Sequence, residues 1–271
     1  MKKILSLFTG IIAVGSAYAS PVLSPNAAAV HTDGVFFCDD CSCWSLRAGF
    51  RGDYVFDRKL SSYSADHQGT NVTRKMSNEG VVTLNFWDRL DIYGLVGEAT
   101  PHMDAIGDTP EQGTYFADRF WSARTIWGVG ARATILEYNF GCCGTSYLGA
   151  DINYESIGSS NGVSGTDNGA PSLNRFNANY KETQVSLQIG HKIAMLTPYI
   201  AAKWSNAIVG YNLTVPSGTG AGNYAYSYRN TRNHWGYAVG VLLIDAGRMS
   251  VTAEARFIDE KAMTIMGEFR F

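Results

Sequence analysis

Charge is what this 271-residue chain has least of: Asp, Glu, Lys and Arg make up only 17% of it, against about a quarter in an average soluble domain. Neither sign dominates, with 22 basic and 24 acidic residues. The lack of a basic excess argues against a nucleic-acid binder. The lack of an acidic excess argues against a solvated, disordered chain. Proline is scarce, at 7. After the first twenty residues no run of 18 apolar residues occurs, so no membrane-spanning helix is expected in the mature chain. A mean hydropathy of -0.10 excludes a polytopic helical membrane protein. What is plentiful is Gly (29) and Tyr (15), a poor mixture for a helical bundle. The architecture must therefore explain low charge without high hydropathy.

The N-terminus carries export chemistry. Lys2 and Lys3 precede a mostly apolar stretch, Ile4 to Val14, and Ala17-Tyr18-Ala19 has the small-x-small form of a cleavage site. Residues 1–19 are read as a secretory signal peptide, with the mature chain starting at Ser20. Export places five cysteines in an oxidising compartment. Cys38, Cys41 and Cys43 form one cluster, and Cys142 and Cys143 are adjacent. Zinc needs four well-spaced ligands, and the second cluster has no histidine. Disulfides are the expected use, with the odd count leaving a thiol for a partner chain or for redox exchange.

The dominant period of the mature chain is two. Leu46, Ala48, Phe50, Tyr54 and Phe56 fall opposite Arg47, Arg51, Asp53 and Asp57. Met249, Val251, Ala253, Ala255 and Phe257 alternate with Ser250, Thr252, Glu254 and Arg256. Met263, Ile265, Phe269 and Phe271 oppose Thr264, Glu268 and Arg270. Such runs exceed the five or six residues of an average globular strand. The pattern predicts about ten strands, at 44–58, 77–87, 89–99, 118–138, 145–157, 175–191, 196–212, 230–244, 248–258 and 261–271. Short turns (87–89, 141–144, 192–195, 245–247) alternate with longer polar loops (59–76, 100–117, 158–174, 213–229), although the link at 259–260 is tight on the long-loop side.

Long alternating strands, short turns on one side and long loops on the other describe an all-β transmembrane antiparallel β-barrel of the bacterial outer membrane. Ten strands are favoured within a range of ten to sixteen. In lipid every backbone group must be paired, so the sheet has to close on itself. Trp44, Tyr54, Trp87, Trp121, Tyr154, Trp204 and Trp235 lie near strand ends, as interfacial girdles require. Residues 20–43 then form a Cys-rich periplasmic segment and 44–271 the barrel, and both cysteine clusters fall on the periplasmic side. The same register turns sixteen charges toward the lumen. The cations are Arg47, Arg51, Arg124, Arg132, Lys203, Arg248, Arg256 and Arg270. The acids are Asp53, Asp57, Asp91, Asp151, Glu155, Glu182, Glu254 and Glu268. Balanced charge fits either a hydrated, weakly selective lumen or a lumen filled by ion pairs. Ten strands make a narrow tube.

Enzymatic signatures are missing. No His-Glu-x-x-His, Gly-x-Ser-x-Gly or Gly-x-x-x-x-Gly-Lys sequence occurs. Gly128-Val-Gly130-Ala-Arg-Ala133 sits inside an alternating strand and not at a strand-to-helix turn. The histidines His31, His67, His102, His191 and His234 are scattered. No enzyme activity, metal or cofactor is expected.

Several segments resemble the chlamydial major outer membrane protein family. They are Gly52-Asp-Tyr-Val-Phe-Asp-Arg58, Leu84-Asn-Phe-Trp-Asp-Arg-Leu-Asp91, Trp121-Ser-Ala-Arg124, Leu196-Thr-Pro-Tyr-Ile200 with Lys203-Trp-Ser205, and the ending from Val251 to Phe271. The resemblance implies an outer-membrane porin for passive diffusion of small hydrophilic solutes and ions. It also implies a disulfide-linked role in the envelope, with Cys38, Cys41 and Cys43 resembling the family's N-terminal cysteine-rich segment and Cys142-Cys143 its paired-cysteine turn. Expected partners are outer-membrane lipid, small hydrophilic solutes, other envelope proteins through disulfides and, in a homo-oligomer, further copies of the chain. The alternative is a closed structural or adhesive barrel. The chain is shorter than typical members of that family.

Overall fold

The fold was analysed in a computed structural model, which describes residues 44–62, 69–87, 89–109, 113–120, 123–141, 144–161, 164–167, 170–172, 175–214, 223–229, 234–245 and 249–271. Within these limits it is nearly all strand. Ten strands build the wall: β1 (Trp44–Ser62), β2 (Gly69–Phe86), β3 (Leu90–Thr109), β5 (Arg124–Asn139), β6 (Thr145–Asn161), β9 (Arg175–Lys192), β10 (Leu196–Thr214), β12 (Trp235–Asp245), β13 (Met249–Phe257) and β14 (Glu260–Arg270). Each pairs antiparallel with the next, and β14 returns to β1, so the sheet closes into a barrel. Four shorter strands lie on the long-loop side: β4 (Gly113–Phe120), β7 (Ser164–Asp167), β8 (Ala170–Ser172) and β11 (Asn223–Arg229). Through them the outer part of the sheet continues, β4 on β3 and β7, and β11 on both β10 and β1.

The register fixes the width. Paired positions run from Trp44 through Phe86, Leu90, Ala133, Ala150, Leu187, Ala202 and Tyr237 to Phe257. One residue back, Arg256 meets Ala262, which meets Val55. One circuit thus climbs about twelve residues along β1, which for ten strands implies a tilt of about 40°. With strands 4.8 Å apart, the backbone tube is about 20 Å across. Side chains from opposite walls therefore meet in the middle.

Alternation sorts the two faces. Phe50, Val82, Leu84, Ile92, Val96, Val129, Ile152, Leu187, Ile189, Val239, Val251 and Ile265 point outward and are exposed, a belt suited to hydrocarbon. Aromatic groups bound it. On the short-turn side stand Trp44 and Trp87, the Tyr138–Phe140 pair and the Phe269–Phe271 pair. On the other side stand Trp127 against Tyr154, Trp204 stacked on His234, and Trp235. Trp121 lies outside the described residues. At the β5–β6 turn, Gly141 (φ 65°) and Gly144 (φ 100°) supply the left-handed backbone that the tight reversal needs.

Two expectations are corrected. The predicted strand 118–138 is divided between β4 and β5. The regions expected as loops also carry strand, because β1, β2, β3, β6, β10 and β11 continue the pairing past the aromatic girdle. Ser, Gly and Asn there signal loops by composition, yet backbone pairing with a neighbour overrides so weak a preference.

Candidate functional site

The lumen is the candidate site. Eight cationic and ten acidic side chains are buried inside it, each with 6% or less of its surface exposed. Nine of the ten wall strands or their turns contribute. The exception, β12, presents Gly236, Ala238, Gly240 and Leu242, which leave room for neighbours. A Cβ at Gly236 would collide with the carboxylate of Asp259, and one at Gly240 with the ring of Tyr199.

The charges form three tiers. Nearest the short turns, Arg47 meets Asp91 at 2.5 Å and Glu268 at 3.5 Å. Arg132 stands 3.6 Å from Asp91 and 3.7 Å from Glu268, with its guanidinium over the Tyr93 ring. Thr83 and Asn85 donate to Glu268 and Asp91, and Tyr93 donates to Asp151 at 3.0 Å. In the middle tier, Arg51 holds Glu79 and, at 2.6 Å, Glu155. Lys75 lies 3.3 Å from Asp53 and 3.8 Å from Glu155. Arg256 reaches Asp53 at 2.5 Å, and Thr264 donates to the same carboxylate at 2.7 Å. Tyr199 donates to Glu254. The outer tier centres on Arg58, which contacts Glu182 (2.9 Å), Glu260 (3.3 Å), Tyr180 and Ser205. Lys203 donates to Gln184 and stands 3.9 Å from Asp259, the acceptor of the Ser205 hydroxyl.

Asp259 sits in the tight β13–β14 turn and turns inward. Burial pushes its carboxyl up to about 8; nearby Lys203 opposes the shift and Glu260 adds to it. The preceding residue, Ile258, has φ 91°. That conformation is strained for a β-branched residue and aims Asp259 into the tube.

Most sequence-predicted lumen residues meet there. Arg47, Arg51, Asp53, Asp91, Arg132, Asp151, Glu155, Glu182, Lys203, Glu254, Arg256, Glu268 and Arg270 are all buried inside. Arg124 is on the inward face but only half-buried, at the outer end of β5. Asp57 is corrected. A bulge between Val55 and Asp57 advances β1 by one residue, so Asp57 faces outward beside Lys261 and Arg58 takes the lumen position. Arg248 and the five cysteines, Cys38, Cys41, Cys43, Cys142 and Cys143, lie outside the described residues. So do the signal peptide and the segment 20–43.

The sequence reading missed Arg58, Lys75, Glu79, Asp259 and Glu260. For Glu79 a signal existed, since Glu79, Val81, Thr83 and Asn85 alternate with Gly80, Val82, Leu84 and Phe86. Of the histidines, His191 bonds Ser146 and His234 bonds the Ser205 carbonyl oxygen. Among the described residues no group of three or more His, Cys, Asp or Glu is arranged to hold a metal.

A closed antiparallel barrel with an apolar, aromatic-bounded exterior and a charged interior is an outer-membrane β-barrel protein, crossing the membrane with strands. Comparison with known proteins specifies its kin. Residues 226–271 match the family described as Chlamydia major outer membrane protein. The chain aligns end to end with a major outer membrane porin of Chlamydia pneumoniae (28% identity) and with one of Chlamydia psittaci (27%), covering all of both partners each time. The serovar E porin of Chlamydia trachomatis is 24% identical, also over the whole of both chains. The chain is thus similar to the chlamydial major outer membrane proteins. It is shorter than they are, since the 394-position alignment leaves 123 positions without a residue of this chain. Among solved structures it resembles the outer membrane protease OmpT of Escherichia coli (TM-score 0.48, 10% identity, 86% of this chain and 99% of that one). It also resembles OprG of Pseudomonas aeruginosa (TM-score 0.42, 11% identity, 84% and 95%).

Proposed function

We propose that this barrel is a narrow porin, passing small hydrophilic solutes and ions along its polar lumen when the ion pairs inside exchange partners. The observation that carries this reading is the sharing of acceptors in the middle tier. Arg51 holds two carboxylates, and Lys75 stands within 4 Å of two. A cation with two acceptors can release one without becoming an unpaired buried charge, whose penalty is several kcal/mol. The name borne by the relatives supports the same reading. The test is conductance of the folded, purified protein in planar bilayers. Stepwise channels are expected from the wild type, with open probability raised several-fold by Arg51→Gln. Silent membranes with both proteins would overturn the proposal.

A second reading, a closed structural barrel, is favoured by the depth of burial of those same charges. Silent membranes would decide for it. In either case we propose that Cys38, Cys41, Cys43, Cys142 and Cys143 link the barrel to envelope proteins or to further copies on the periplasmic side. Non-reducing gels should show multimers that reductant or Cys→Ser substitution removes. Unchanged bands would refute the linkage.

A further inference from the structure

We propose that the outer wall made by β14, β1 and β2 binds the phosphate group of an outer-leaflet lipid. Below the outer aromatic girdle, the outward faces of these strands are apolar or uncharged. Above it they become basic. Lys261 on β14, Lys59 on β1 and Arg74 on β2 all point outward and are exposed. The register brings them together. Asp57 is paired with Lys261. Between the pairs Val55–Lys75 and Arg58–Val72, Phe56 and Asp57 face Thr73 and Arg74. Lys261, Asp57 and Arg74 therefore stand abreast on three adjacent strands, with Lys59 one outward position higher.

Bulges in both β1 and β2 create the arrangement. One lies between Val55 and Asp57, the other between Val72 and Arg74. Bulges at one level in neighbouring strands re-aim side chains in concert. Here they present three cations and one acid at the height where headgroups begin. The acid, Asp57, stands 4.0 Å from the Lys261 ammonium. Arg74 lies against the sulfur of Met76, an uncharged acceptor. Among the described residues no acid stands within ion-pair distance of Lys59 or Arg74. The surplus of two positive charges suits a phosphate, and the apolar belt directly below suits acyl chains, so a lipid is the occupant that satisfies both. Glu98, outward on β3, lies lower and faces Asn78. Lys181, outward on β9, stands five strands away around the ten-strand ring and serves as an internal control.

The experiment titrates the full-length folded protein in detergent with bis-phosphorylated lipid A and with phosphatidylcholine, reading bound lipid by native mass spectrometry. Retention of lipid A over phosphatidylcholine is expected. A surface cation is worth a factor of roughly five in binding to anionic lipid. The combined variant Lys59→Gln, Arg74→Gln, Lys261→Gln should therefore bind lipid A roughly a hundredfold more weakly, while Lys181→Gln leaves binding unchanged. Asp57→Asn should tighten binding roughly fivefold, a gain that misfolding cannot imitate. Inorganic phosphate should not compete, because it lacks the chains that use the belt. Equal binding by the combined variant, an equal loss in Lys181→Gln, no gain in Asp57→Asn, or competition by inorganic phosphate would each overturn the proposal.

Discussion

Replacing Arg51 by Met measures whether the lumen is dry. The methionine keeps much of the side-chain length but removes the charge that serves Glu79 and Glu155. Both carboxylates are buried, and the nearest other cation to Glu155 is Lys75, already 3.3 Å from Asp53. Removing one partner of a buried ion pair costs about 3–5 kcal/mol, because a charge is left unpaired in a poor solvent. The same removal at a hydrated site costs only about 0–1 kcal/mol. With a urea slope of about 2 kcal/mol per molar, a dry lumen predicts a midpoint lower by about 2 M. The assay is reversible urea unfolding in lipid vesicles, followed by tryptophan fluorescence. Adding Glu79→Gln and Glu155→Gln to Arg51→Met should recover most of the loss, since neutral amides no longer need a counter-charge. A loss under about 1 kcal/mol for Arg51→Met would refute the ion-pair-filled lumen and indicate standing water around the middle tier.

Three further outcomes follow from the same geometry. Gly240→Ala should destabilise by about 1–3 kcal/mol through overpacking, because its methyl group would displace Tyr199 from Glu254; in the same urea assay Gly80→Ala, with only a carbonyl oxygen 3.8 Å away, should be nearly neutral. Ala253→Arg, on the hydrocarbon face, should cost about 2–4 kcal/mol, and Thr100→Arg, outward near the rim, less than about 1; equal costs would mean the belt is misplaced. Asp259 has a folded-state pKa raised to about 8 from 3.8, so its contribution favours folding at low pH and is lost as pH rises through that interval. The urea midpoint should be lower at pH 9 than at pH 6, and Asp259→Asn should shrink that difference; an unchanged difference would show the carboxyl is ordinary.

The wall was legible in the sequence because its signal is redundant. Each of the last strands repeats the same two-residue alternation, so Met249 to Phe257 and Met263 to Phe269 could be oriented by counting. The closing of β14 on β1 was legible for the same reason, as was the inward aim of Arg256 and Glu268. Asp57 was misassigned because counting presumes an unbroken period. A bulge inserts one residue and reverses every later side chain in the strand, and nothing in Val55-Phe56-Asp57 marks it. Asp259 was illegible for another reason. Its inward aim depends on the left-handed backbone at Ile258 and on the space above Gly236, and both are properties of the assembled barrel. The tiers themselves pair residues as far apart as Asp53 and Arg256, so their geometry exists only once the circuit is complete.

The contact of β14 with β1 bears on how such a protein is made. This seam joins the first and last wall strands, and the backbone amide of Phe271, the final residue, donates to the Leu46 carbonyl oxygen just inside β1. Until the seam forms, Arg47 lacks Glu268 and Asp53 lacks Arg256, so a sheet lying open in the bilayer would present those charges to hydrocarbon. Partial insertion is therefore penalised and completion rewarded in a single step. The charge that fills the lumen thus disfavours any barrel whose last strand has not met its first, since each such barrel leaves buried charges with fewer partners.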